Sequence, residues 1–247
     1  MKFIFLPFLI SISSCALCQQ LQLHYDLRHT LDAKHTQKDF PTIFFEYFKS
    51  QDSGTAFIKP GSFLFKVQAD LAGAKGNIGK LYMQVSQSFR CWRPKIFVQL
   101  QYSGGLGIAE PGSYGFYINN AFSLGLGHPF QWKNAWFNAY ACYTYNRFIK
   151  PSHDALASFY WWKGLLNYKL QFTGDFELWT INRNHGDSYT AGKKGKKVSF
   201  YGEPQIWYSI TKGFSVGSKV NLYYHVLSDE NRLQVYPTAA VRYQFRN

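Results

Sequence analysis

The chain is poor in cysteine, in acidic residues and in long apolar runs, and each shortage excludes something. Four of its 247 residues are cysteine, and two of these, Cys15 and Cys18, fall in the first eighteen positions. Cys91 and Cys142 have no CxxC spacing and no histidine partner nearby, so they read as two isolated thiols, not as a disulfide framework or a metal site. Beyond the N-terminus no apolar run approaches the roughly 20 residues that a spanning helix requires. Asp and Glu number 14 against 27 Lys and Arg, a formal charge of +13. The signatures of nucleotide and hydrolase chemistry are missing as well. Gly105-x-Gly107 meets Glu110 where a dinucleotide fingerprint needs its third glycine, and Gly195-Lys196 is followed by Lys197 in place of Ser or Thr. The glycines of 104–107 instead suit turns and bulges. No GxSxG elbow is present. Neither enzyme chemistry nor a cofactor nor a metal is implied.

Aromatics and alternation are abundant. Phe, Tyr and Trp make up 19% of the chain. In Gln20-Leu21-Gln22-Leu23-His24-Tyr25-Asp26-Leu27-Arg28, Leu, Leu, Tyr and Leu share one face of an extended chain, and the polar residues share the other. The same parity recurs. Phe63, Phe65, Val67, Ala69 and Leu71 oppose Lys66, Gln68 and Asp70; Val216, Val220, Leu222 and Tyr224 oppose Lys219, Asn221, Tyr223 and His225; Val235, Ala239, Val241, Tyr243 and Phe245 oppose Gln234, Thr238, Arg242 and Gln244. Charge is excluded from the apolar rows. A charge facing lipid at the bilayer midplane costs about 2–4 kcal/mol, which accounts for the exclusion in a transmembrane barrel. A mean hydropathy of −0.26 is compatible with such a wall, because alternation averages the apolar face away.

The N-terminus reads as an export signal. Met1-Lys2 precedes an apolar stretch from Phe3 to Ile12, and Ala16-Leu17-Cys18 places small residues at a cleavage site. The expected division is a signal peptide over 1–18 and a barrel over 19–247. Ile12-Ser13-Ser14-Cys15 is a competing lipobox-like reading that would lipidate Cys15.

Twelve strands are expected, over 20–29, 41–50, 61–72, 79–90, 95–104, 114–126, 133–146, 155–163, 165–182, 198–210, 214–227 and 232–245. Their connections alternate. Cys91–Pro94, Trp162–Gly164 and Thr211–Gly213 read as tight turns, whereas 30–40, 105–113 and 183–197 are longer and polar or glycine-rich. Short turns at one end and long loops at the other are the outer-membrane pattern. The stretches 51–60 and 127–132 are long for that pattern. The basic cluster Lys193-Lys194-Gly195-Lys196-Lys197 falls in a long loop and reads as solvated, or as a contact for anionic lipid head groups.

The closing segment Val235–Phe245 resembles the aromatic-terminated signal read by the outer-membrane assembly machinery, with Arg246 and Asn247 as two extra residues. Together with Leu21–Asp26, Phe44–Phe48, Gln101–Gly107, Gly202–Trp207 and Lys219–His225, it resembles an uncharacterised outer-membrane family that is similar to the Tsx-like nucleoside-specific channels. That resemblance implies an all-β, up-and-down antiparallel barrel of about twelve strands, monomeric, in the bacterial outer membrane. Its partners would be outer-membrane lipid and lipopolysaccharide, the assembly machinery, and a small polar solute such as a nucleoside, with no nucleic acid.

A function would sit in the lumen. The inward candidates are Glu46, Lys66, Asp70, Tyr82, Arg90, Phe97, Glu177, Trp179, Glu203, Trp207, Lys219, Tyr223, His225 and Arg242. As a solute track, their rings would stack on a flat base and their charges would hold polar groups. Alternatively Lys66, Asp70, Glu203 and Lys219 neutralise one another and stiffen the wall. His24 and Asp26 share a face without a serine to complete a triad, and read as a hydrogen-bonded lumen pair. The expectation is facilitated diffusion of small polar solutes; the alternative is a closed structural or loop-binding barrel.

Overall fold

A computed structural model describes residues 18–50, 57–90, 92, 94–109 and 114–245. The expected leader, apart from Cys18, lies outside the described residues, as do Cys91 and the last two residues. The strands are β1 (Cys18–Asp26), β2 (Phe40–Lys49), β3 (Lys59–Asp70), β4 (Lys80–Arg90), β5 (Phe97–Ala109), β6 (Tyr114–Trp132), β7 (Ala135–Asn146), β8 (Ser152–Leu165), β9 (Leu170–Asn182), β10 (Lys196–Gly202), β11 (Gln205–Ser209), β12 (Phe214–Tyr224) and β13 (Gln234–Phe245). A one-turn helix, α1 (Arg28–Leu31), follows β1.

Every neighbouring pair is antiparallel, and β1 pairs β13 from Gln19↔Phe245 to Asp26↔Thr238, which closes the sheet. Closure satisfies the backbone groups that an open edge would leave exposed to hydrocarbon. β10 and β11 both lie between β9 and β12. They form one wall strand broken at Glu203-Pro204, where proline has no N–H to give the ladder. The register does not slip across the break: Gly202 pairs Leu222 and Gln205 pairs Lys219. The wall is therefore a twelve-stranded barrel.

The alternation resolves into an apolar outside and a polar inside. On β1, Leu21, Leu23 and Tyr25 are exposed, and Gln20, Gln22, His24 and Asp26 are buried. Leu124 and Leu126 on β6 and Val241 on β13 repeat the outward pattern. Buried Gln99, Ser123, Asp175, Lys219 and Arg242 repeat the inward one. This is the inverse of a soluble sandwich, whose apolar face turns inward.

Three boundaries differ from expectation. The 127–132 stretch is strand, the end of β6, and the connection to β7 is the two-residue turn Lys133-Asn134, with φ of 46° and 59°. Two residues of positive φ make the hairpin turn that matches strand twist. Beyond Gly127 the ladder of β6 runs only with β7, so Pro129 is tolerated there. Trp162–Gly164 is strand, not turn; the reversal is at Leu166–Lys169, where Leu166, Asn167 and Tyr168 all have positive φ. Residues 105–109 belong to β5, with a register shift between Gly105 and Leu106, the bulge chemistry expected of that glycine run.

The start of β1, the end of β13 and the connections β4–β5, β6–β7, β8–β9 and β11–β12 lie at one end, and the longer 27–39, 183–195 and 225–233 connections lie at the other. By the outer-membrane rule the first end is periplasmic and the second extracellular.

Candidate functional site

Strand register places the lumen residues in layers. In the outer layer Asp26 receives Arg28 twice, Nε at 3.0 Å and Nη2 at 2.8 Å, and Asn221 at 3.3 Å. The bidentate fork fixes Arg28 as well as pairing it, and its guanidinium lies over Phe40 at 4.6 Å and Tyr236 at 5.1 Å. Asp70 accepts from Thr42 at 3.0 Å and from Gln68 at 2.9 Å.

The middle layer is a crossing of the lumen by charge. Lys66 on β3 donates to Glu203 Oε1 at 2.8 Å and lies 3.4 Å from Asp175 on β9. Lys219 on β12 donates to Glu203 Oε2 at 3.2 Å and to Gln68 at 3.3 Å. The Tyr201 hydroxyl donates to the same Glu203 Oε2 at 2.9 Å, and that of Tyr160 donates to Glu177 at 3.2 Å. Phe44 underlies both lysines, its centroid 5.0 Å from Lys219 Nζ and 5.9 Å from Lys66 Nζ. Lys66, Asp175, Glu203 and Lys219 are all buried. Burial of this many charges is tolerable only because each one is paired or hydrogen-bonded.

The inner layer centres on Trp207, which has no exposed surface. Its indole N–H donates to Gln205 at 2.9 Å, and Arg242 lies over its ring at 4.6 Å while donating to Gln171 at 2.9 Å. Glu46 accepts from Gln20 at 2.7 Å.

All the sequence-derived lumen residues on strands fall on the inward register. Lys66, Asp70, Tyr82, Glu177, Trp179, Glu203 and Tyr223 line an outer vestibule of about 260 Å³, and His225 lines it from just beyond the end of β12, held by Val198 O and Asn231. Trp207, Arg242 and Glu46 lie below the vestibule. Phe97 lines a separate inner cavity, and Arg90 lies over its ring at 5.4 Å.

The mutual neutralisation expected of Lys66, Glu203, Lys219 and Asp70 holds for the first three; Asp70 pairs instead with Thr42 and Gln68. His24 and Asp26 both face inward without bonding each other. His24 is held by Thr238 at 2.9 Å and Gln22 at 2.7 Å, so both ring nitrogens are occupied away from any serine. Sequence reasoning missed Asp175, Phe44, Tyr160, Tyr201 and Arg28. Asp175 shares parity with Glu177, the one available signal. Phe44 likewise shares parity with Thr42 and Glu46, and Arg28 shares it with His24 and Asp26, although the chain leaves the strand for α1 at that point.

The vestibule wall carries four cations, Arg28, Lys66, Lys80 and Lys197, against four carboxylates, Asp70, Asp175, Glu177 and Glu203. Its formal charge is balanced. Among the described residues the two cavities share no lining residue. Gln22, Trp207 and Arg242 line neither cavity and are each at most 2% exposed, so side chains fill the lumen at their height.

The basic loop cluster is partly neutralised. Lys193 and Lys197 reach Asp229 at 2.6 and 2.7 Å, and Lys196 reaches Asp154 at 2.8 Å. The two lysines hold the Asp229 carboxyl well below the usual carboxylate range.

No curated protein matches the sequence. Solved structures aligned with it include the NanC porin at 9% identity, covering 93% of this chain and 100% of that one, with a TM-score of 0.48. The KdgM porin in complex with disordered oligogalacturonate aligns at 10% identity over 92% of this chain and 99% of that one, with a TM-score of 0.47. OccAB3 of Acinetobacter baumannii aligns at 9% identity over 93% and 99%, with a TM-score of 0.42. The model of a family described as a domain of unknown function, DUF5020, matches residues 18–245, and the chain belongs to that family.

Proposed function

We propose that this barrel is an outer-membrane channel for facilitated diffusion of small, uncharged polar solutes that carry a flat face, nucleosides among them. The observation that carries the reading is the outer vestibule. Phe44, Tyr82, Trp179, Tyr201 and Tyr223 stand in a wall whose four cations and four carboxylates cancel in formal charge. Rings offer stacking to any planar base, and the paired charges offer donors and acceptors without an electrostatic preference for anions. The charged layer itself supports a working role. A buried ion pair is often no more stabilising than an apolar pair of the same volume, so a wall needing only rigidity gains little from this one. Passage requires the Lys66–Glu203–Lys219 layer to part, which flexible lysine stems permit. On this reading the barrel works as a monomer, inserted by the outer-membrane assembly machinery, with its basic outer loops against lipopolysaccharide.

The near-zero exposure of the mid-lumen side chains favours a second reading, a closed barrel that binds at its vestibule without transport. Purified protein in planar bilayers separates the two. Transport predicts discrete conductance steps that uridine or adenosine reduces in a concentration-dependent way. A barrel that inserts but neither conducts nor supports swelling of nucleoside-loaded liposomes leaves the closed reading standing.

A further inference from the structure

The inner cavity plays no part in the proposed transport chemistry. It lies at the periplasmic end, has a volume of about 400 Å³, and is walled by residues of β3 to β7, among them Ser62, Ser88, Phe97, Trp136, Asn138 and Tyr140. Its polar groups form one chain. Ser88 Oγ meets Ser62 Oγ at 3.2 Å, Ser62 Oγ meets the Tyr140 hydroxyl at 3.3 Å, and Asn138 Nδ2 donates to that hydroxyl. The chain ends on an acceptor. Asn138 is 4% exposed, and its Oδ1 accepts from no described residue. A buried amide oxygen left without a donor costs about 1–3 kcal/mol, so this wall is poised to receive one.

Charge narrows the class of donor. No Asp or Glu is among the described lining residues, so a cation finds no counter-charge. Lys95 and His128 also line the cavity but are exposed, and at the buried polar wall an anion would meet the Asn138 oxygen, itself an acceptor. What fits is neutral and both donates and accepts through several hydroxyls. It also needs an apolar face, since Phe97 and Trp136 stand on the same wall. We infer that the inner cavity is a binding site for a neutral polyhydroxylated ring, a saccharide unit, which stacks on an aromatic side chain and donates a hydroxyl to Asn138 Oδ1. The site does not depend on conduction, and binding is measured whether or not the lumen opens.

The test is calorimetric titration of the full barrel, folded in detergent, with maltose, and with glucose 6-phosphate as the anionic comparator. Saturable maltose binding is expected, weaker for the phosphate. Asn138→Leu is expected to weaken maltose binding roughly tenfold, the value of one lost hydrogen bond to a buried acceptor. Asn138→Asp, which keeps the acceptor, is expected to retain most of the binding. Tyr82→Phe in the outer vestibule is expected to leave it unchanged. Heat-modifiable gel mobility verifies that each variant is folded. Absence of saturable maltose binding by the folded parent overturns the assignment. So does binding indifferent to Asn138→Leu, or lost on Tyr82→Phe, which would move the sugar to the outer vestibule.

Discussion

Glu203 is the residue on which the lumen's charge converges, with Lys66, Lys219 and the Tyr201 hydroxyl all directed at its two oxygens. Removing one member of a buried pair exposes the desolvation cost of the other. Lys66→Met is therefore expected to destabilise the barrel by about 3–5 kcal/mol, because Asp175 then loses its ion-pair partner and Glu203 keeps one of two. Lys193→Ala on the exposed loop, which breaks an ion pair of similar length, is expected to cost under about 1 kcal/mol. Urea unfolding from lipid vesicles measures both, and equal costs would deny that the central layer is desolvated. This layer was half legible. Lys66, Glu203 and Lys219 follow from parity, because period-two alternation fixes the face of every residue on a regular strand. Their mutual neutralisation follows from the cost of unpaired buried charge; the membership of the cluster does not, because β3 and β12 meet only across the lumen, and Asp70, expected in it, bonds Thr42 and Gln68 instead.

At the level of elements, the long outer loops are tied together by carboxylates. Asp229 in the 225–233 loop takes Lys193 and Lys197 from the 183–197 region, and Asp32 in the 27–39 loop takes Arg232 at 2.9 Å and the Tyr236 hydroxyl at 3.1 Å. His35, at 2.6 Å, together with Arg232 and Tyr236, holds Asp32 down to about 2 from an ordinary 3.8. A carboxylate whose folded pKa is depressed contributes fully above its unfolded value and loses that contribution as pH falls through the folded one. The Asp32 tie is thus intact above about pH 4 and is released towards pH 2. Amide protection over 225–233, measured relative to the intrinsic exchange rate at each pH, is expected to fall in that interval and not between pH 5 and 8. At neutral pH, Asp229→Asn is expected to speed tryptic cleavage at Lys193 and Lys197; an unchanged rate would mean the clasp does not order the loop. The sequence marked these loops by their polarity, yet the errors at element ends have one origin. The sequence suggests connections at 127–132 and Trp162–Gly164, but the ladders of β6 and β8 run through both, and the chain turns at Lys133-Asn134 and at Leu166–Tyr168, where only Asn167 signals the second reversal.

For the whole molecule, one architecture follows from where the two faces of each strand end up. Leucine and valine rows turn outward on β1, β6 and β13, the ladder closes between β1 and β13, and the ionic side chains fill the interior. Water cannot be the solvent of the outer face at that apolar density, whereas hydrocarbon can. Alternation alone does not separate this fold from a soluble sandwich, which alternates too with its apolar face inward; the export-like N-terminus, the aromatic richness and the strand lengths decide it, and parity survives errors at individual turns. The same argument sets its sharpest test. Leu124 lies near the middle of β6, 53% exposed, opposite Leu100 and Tyr143 on the neighbouring strands. In a bilayer Leu124→Arg is expected to cost about 2–4 kcal/mol, the midplane penalty for a lipid-facing cation. The same change at Val198, exposed near the extracellular end of β10, is expected to cost about 1 kcal/mol or less, because depth sets the penalty. Reversible unfolding of both variants from vesicles gives the gradient, and a flat profile, with Leu124→Arg as harmless as Val198→Arg, would place the outer face in water and remove the membrane from the account of this fold.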